Sequence, residues 1–273
     1  MIRLLTIEWY KLRHYRPFWV LIIMYAALST LVCSSGMFLM AYLKGEGADF
    51  RGFDPTMLPL YDFPDVWHNM TYIAARLKII LAFIIIMSIF NEINHRTLRQ
   101  NIIDGLSKKE WLGSKVLLMG AISLGAGLLL FVNGLILGLI YSHPEAYQYI
   151  FQRLDFIVAY CLDVFTYLSF AMMLALIFRK GGLVIVGLLM YSAMFEPFLA
   201  AFLYNFPPLP EYARAIPDFL PVQSLRNLIQ VPFRRFLLME IQEFIPLKTL
   251  LIALTWLTVY LRVSFWLLSK RDI

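Results

Sequence analysis

Apolar residues in this chain come in continuous runs long enough to cross a hydrocarbon layer of roughly 30 Å, and short charged segments separate them. The first run, Phe18 to Ala41, follows a leader that mixes Leu4, Leu5, Ile7, Leu12, Trp9, Tyr10 and Tyr15 with Arg3, Lys11, Arg13 and Arg16. Such a mixture suits a helix lying in the membrane interface, with Pro17 bending the chain into the bilayer. Leader and run are both too long for a cleavable signal, and no small-residue cleavage site closes them, so the run is expected to stay as an anchor. Val116–Tyr141, Phe156–Phe178, Leu183–Tyr204 and Leu250–Leu268 each come near the 20 or so residues that a spanning helix needs. Ile79–Phe90 is too short to cross unless its helix begins near Tyr72. That start brings in Arg76 and Lys78, close enough to one end for their long side chains to snorkel to the headgroups, with a substrate-binding role as the alternative. Gly120, Gly125, Gly127, Gly134 and Gly138 allow the third span to pack closely. The pattern predicts an all-α integral membrane protein of six transmembrane helices in a single domain over 1–273. It has an interfacial helix over 1–17, a cytoplasmic loop over 91–115 and an outer segment over 205–248.

Composition agrees: 60% of residues are hydrophobic and only 15% charged, and mean hydropathy is +0.70, which excludes an ordinary soluble domain. The net charge of +6 is explained by where the basic residues fall. Arg3, Lys11, Arg13 and Arg16, then Arg96, Arg99, Lys108, Lys109 and Lys115, then Arg179 and Lys180, and finally Lys270 and Arg271 lie on one side if the N-terminus is cytoplasmic. The loop Lys44–Thr71 on the other side holds Glu46, Asp49, Asp54, Asp62 and Asp65 against Lys44 and Arg51. Both termini are therefore expected in the cytoplasm, and nucleic acid is not expected as a partner. Cys33 and Cys161 lie inside apolar runs and read as small core residues.

Two loops carry more than topology requires. In Asn91–Lys115, Asp104 and Gly105 make a turn, and Ser107 with Glu110 three residues on forms a capping-box pattern. It starts a short helix through Lys108, Lys109 and Trp111, and an exposed Trp111 beside two lysines reads as a docking surface. In Asn205–Lys248, Pro207, Pro208, Pro210, Pro217, Pro221, Pro232 and Pro246 preclude one long helix. Val222–Gln230 and Phe233–Phe244 suit short helices that lie on or dip into the outer leaflet.

Charges inside spans are costly and so are candidates for intramembrane polar contacts: Asp163, Glu196 and Arg262. Asp155, eight residues before Asp163, shares roughly its helical face, and Arg262 is placed to pair with Asp163 or Glu196 as a structural ion pair. Glu196 precedes Pro197, which kinks or ends its helix. Catalytic clusters are missing: His14, His68, His95 and His143 are scattered, with no His-Glu-x-x-His and no Gly-x-Ser-x-Gly. His68 near Asp62 and Asp65 is at best a weak metal site. Gly113-Ser114-Lys115 lacks the spacing of a phosphate-binding loop, so the chain holds no nucleotide motif of its own.

In organisation, and in Arg96-Thr97-Leu98-Arg99 followed by Asp104-Gly105-Leu106-Ser107-Lys108-Lys109-Glu110-Trp111, the chain resembles a type 2 permease of the ATP-binding cassette (ABC) transporters. The resemblance implies an exporter subunit in the bacterial inner membrane, without a cofactor of its own because ATP is bound by the partner. It makes Gly105, Leu106, Ser107, Lys108, Lys109, Glu110 and Trp111 a coupling helix that docks on a separate ABC ATPase subunit. A second permease copy or a paralogue would complete the pathway, since the chain shows no internal repeat, and membrane lipid surrounds it. A secondary transporter or channel is the alternative, and it leaves the capped helix after Asp104 unexplained.

Overall fold

A computed structural model describes residues 2–45, 60–178, 180–205, 211–232, 242 and 244–270, and among these no strand occurs. The interfacial leader forms α1 (Ile2–Arg13) and the first span α2 (Arg16–Gly45). Pro17 sits in the first turn of α2, where its missing N–H costs nothing. Trp19 Nε1 donates to the Arg13 carbonyl at 2.9 Å, which satisfies an orphan acceptor at the end of α1 and fixes the elbow.

The second span is two helices, α3 (Asp65–Ala74) and α4 (Lys78–Asn94), bent by 47° where they meet. The break falls over residues 75–77, so Arg76 lies in it and Lys78 opens α4. Arg76 is exposed and Lys78 buried. The expectation that both snorkel therefore fails for Lys78, whose partner lies within the bundle.

After α5 (Thr97–Ile103), Ser107 opens α6 (Lys108–Tyr141) with the predicted capping box: its Oγ accepts from the Glu110 N–H, and the Glu110 carboxylate accepts from the Ser107 N–H. The capped helix is not short. Over 34 residues α6 runs about 50 Å at ~1.5 Å per residue, well beyond a hydrocarbon core of ~30 Å, so its first turns form the protruding base of the third span. The separate short helix in this loop is α5, which precedes the Asp104-Gly105 turn; Gly105 takes φ +97°, a conformation glycine adopts freely.

α7 (Asp155–Ile177) packs against α4, α6 and the last span, α11 (Leu247–Lys270). In its most apolar stretch 61% of residues are buried, against 22% for α2 and 17% for α11, so α7 is the core helix and the other two present most of their surface outward. Of the glycines in α6, Gly127 faces Cys161, Gly134 faces Trp67 and Gly138 faces Phe63, each so closely that a Cβ would collide. Gly120 has ordinary contact room and Gly125 open space, so the close packing is confined to three of the five.

The fifth span joins α8 (Gly181–Met190), a π turn at Tyr191–Phe195 and α9 (Glu196–Asn205). Pro197 lies in the first turn of α9, just after the widened turn, and the helix continues through it. Among the described residues five helices are long and apolar enough to cross a membrane, and the bent α3–α4 pair makes a sixth, so the chain is an all-α integral membrane protein.

The proline-rich segment holds a 3-10 stretch, Glu211–Phe219, and α10 (Gln223–Arg226). Val222, Leu225, Leu228 and Ile229 are buried, so this part docks into the bundle. Phe233–Phe244 falls almost wholly outside the described residues, as do Glu46, Asp49, Arg51 and Asp54 of the first outer loop and Arg179 and Arg271 among the basic residues.

Candidate functional site

Chemistry-bearing side chains gather at two levels. At the end of the bundle that carries α5, Lys115 is wholly buried, although it was expected to supply loop charge. Its Nζ lies 2.6 Å from Glu8 Oε2, 2.6 Å from Glu92 Oε1 and 2.9 Å from Ser88 Oγ. Ser114 Oγ donates to Glu8 Oε1 at 2.9 Å, and Lys11 reaches Glu92 at 3.2 Å. Two acids and two lysines thus neutralise each other and lock α1, α4 and α6 together. Only a well-bonded cluster repays the loss of hydration that such burial entails.

Trp111 completes this cluster. It is fully buried, its Nε1 donates to Glu92 Oε2 at 2.6 Å, and the Lys115 ammonium lies 5.6 Å from its ring centre. The expectation of an exposed docking tryptophan is thereby corrected. Trp111 and Lys115 are four apart, so they share a helical face, and the face that holds Lys115 inward also turns Trp111 inward. Of the other proposed docking residues, Gly105, Ser107, Lys109 and Glu110 are exposed, and Leu106 and Lys108 are half-buried. Lys108 Nζ donates to the Ser269 carbonyl at 3.2 Å, tying the α6 base to the end of α11.

A further exposed surface lies on and just before α5. Arg96, Thr97, Arg99, Gln100 and Ile103 are open, and Ile103 is 69% exposed, while Leu98 is buried and anchors the helix beneath them. The sequence reading placed the short helix of this loop after the Asp104-Gly105 turn, whereas the structure places it before, in α5.

The second level lies towards the opposite end. Lys78 pairs with Asp163 inside the bundle, and Tyr167 holds its ring beside the Lys78 ammonium. Asp163 is eight residues from the start of α7, some 12 Å along its axis. Arg262 is exposed and is not the partner of either acid, contrary to expectation. Asp155 is exposed at the head of α7, not turned inward with Asp163. Glu196 Oε1 accepts the N–H groups of Val222 at 2.6 Å and Gln223 at 2.5 Å, at the start of α10. Arg226 returns the link by donating to the Ser192 carbonyl at 2.6 Å, within the π turn. A widened turn frees carbonyls from the helical ladder, and here one is used to seat the outer segment. Arg226 lies outside the spans; burial, and next the nearby Arg76 guanidinium, lower its pKa, while Glu196 opposes them.

Arg76, Lys78, Asp163, Tyr167, Ser192 and Arg226 line a cleft of about 270 Å³ between the α3–α4 break, α7, the π turn and α10. The histidines do not join it. His68 is buried, stacked on Phe156 and bonded to the Gln230 carbonyl at 2.9 Å. Asp62 pairs with His143 and Asp65 with Arg153, so the weak metal site expected around His68 is not assembled, and among the described residues no metal-binding group occurs.

The family model described as "ABC-2 family transporter protein" matches residues 2–273. The chain belongs to this family. An ABC-2 transporter protein of this kind is a permease, the membrane component of an ABC transporter, and the multi-pass helical fold agrees. A search of curated proteins finds no match to this ABC-2 chain.

Proposed function

We propose that this chain is the pathway-forming subunit of an ATP-driven exporter of the bacterial inner membrane, with both termini cytoplasmic. A separate ABC ATPase docks on α5 and the following turn, and a second permease copy or a paralogue supplies the other half of the pathway. The observation that carries this reading is α5 itself: a short helix between the second and third spans, with an exposed face of Arg96, Arg99, Gln100 and Ile103. It sits beside the buried Glu8–Lys11–Glu92–Lys115–Trp111 cluster. A helix so placed transmits force. When closing ATPase subunits push on α5, the charge-locked bases of α4 and α6 move with α1 as a unit, which biases the spans between inward-open and outward-open arrangements.

Co-expression with an ABC ATPase, taken first from any gene found beside this one, provides the test. Arg99→Glu with Ile103→Asp is expected to abolish co-purification and permease-stimulated ATP hydrolysis while leaving the melting temperature of the permease unchanged, since both side chains are exposed. Co-purification and hydrolysis equal to the parent would move the docking surface elsewhere. A parent chain that binds no ATPase at all would favour transport without one.

A further inference from the structure

Arg76 and Arg226 face the same cleft, and neither has a carboxylate partner among the described residues. Arg76 is held 4.9 Å from the centre of the Tyr72 ring, and Arg226 spends one nitrogen on the Ser192 carbonyl. Each guanidinium has five donors in a planar fork, so most remain available. The two also feel each other's charge. The acids nearby do not cancel them. Asp163 is engaged by Lys78, and Glu196 Oε1 is committed to the Val222 and Gln223 amides. Three cations, Arg76, Lys78 and Arg226, therefore line this small space with one acid, Asp163, in surroundings where charge is poorly screened. Asp163 Oδ2 is buried in the same cleft without a hydrogen-bond partner, an acceptor that a ligand hydroxyl or ammonium would satisfy. The rim is apolar and open at Leu189 and Ala193, on the span that carries the π turn.

We infer that this cleft binds an oxyanion group, phosphate being the best match, through the paired guanidinium forks of Arg76 and Arg226. The forked donors suit phosphate geometry, and bringing an anion between two like charges relieves their repulsion. The volume admits a headgroup but not acyl chains, which would lie along the exposed apolar rim. An anionic lipid and a free phosphate share the binding chemistry. This inference deepens the permease reading by giving its pathway a substrate class, and it rests on that reading only for transport, not for binding.

The test is native mass spectrometry of the full chain with its ATPase, in neutral detergent, titrated separately with phosphatidylglycerol, phosphate-free diacylglycerol and inorganic phosphate. One saturable phosphatidylglycerol is expected, held more tightly than diacylglycerol, and Arg76→Gln with Arg226→Gln is expected to weaken it about tenfold or more. Arg262→Gln, which removes an exposed arginine of the last span, should leave it unchanged. Saturable inorganic phosphate that depends on the same two arginines would support the site with a soluble anion as its ligand. Equal retention of phosphatidylglycerol and diacylglycerol by the parent chain, with no phosphate bound, overturns the inference without recourse to any variant. So does parental affinity in the double variant. Anion binding by a chain that recruits no ATPase would uphold the site while counting against driven transport, so the two readings fail separately.

Discussion

At the residue scale the account turns on buried charge. Lys115 holds Glu8 and Glu92 at 2.6 Å each, and removing it leaves two carboxylates buried around one partly exposed lysine, Lys11. Lys115→Met is expected to cost about 3–5 kcal/mol, read as a lowered melting temperature in detergent. Adding Glu8→Gln and Glu92→Gln to it should restore part of the loss, because the stranded charges go with it; a triple variant less stable than the single one would contradict this description of the cluster. Trp111→Phe removes one charge-assisted hydrogen bond while keeping the ring, so the expected loss is smaller, about 1.5–3 kcal/mol. None of this network was legible from the sequence. Its members lie up to 107 positions apart, and each alone resembles ordinary positive-inside or interfacial charge. The Lys78–Asp163 pair was hidden for the same reason. Asp163 itself stood out because a carboxylate inside an apolar run has no cheap explanation.

At the scale of elements, the spans were legible because a bilayer requires long apolar runs: the first, fourth, fifth and sixth became helices close to their expected bounds, while the third begins at Lys108, well before Val116, and the second is a bent pair that begins at Asp65. The capping box at Ser107 was legible too, since its chemistry is local. Where that helix ends was not: no strong breaker separates Glu110 from Val116, so the capped turn runs on into the third span, and the short helix of the loop is its predecessor α5. The seating of the outer segment depends on Glu196, which local pattern linked only to Pro197. Glu196→Ala should free the Val222 and Gln223 amides, speeding their hydrogen exchange and destabilising α10 by about 1–3 kcal/mol. Unchanged exchange at both amides would show that the outer segment is held in some other way. Gly138→Leu should lower the melting temperature sharply, because its side chain would enter the Phe63 ring, whereas Gly125→Leu meets open space and is expected to be neutral.

At the scale of the molecule, a family match over residues 2–273 and a six-span fold describe the membrane component of an ABC transporter, and the features left outward agree with the proposal that other subunits cover them. α2 and α11 bury little of their apolar surface within the chain, α5 presents a bare face, and the Arg76–Arg226 cleft opens on the fifth span. The central claim is that ATP hydrolysis elsewhere is coupled to this chain through α5. The most direct measurement is the ATPase activity of the reconstituted complex, with and without Arg99→Glu and Ile103→Asp in the permease. The account predicts that the parent permease stimulates hydrolysis and that the variant, equally folded, does not; full stimulation by the variant would contradict it.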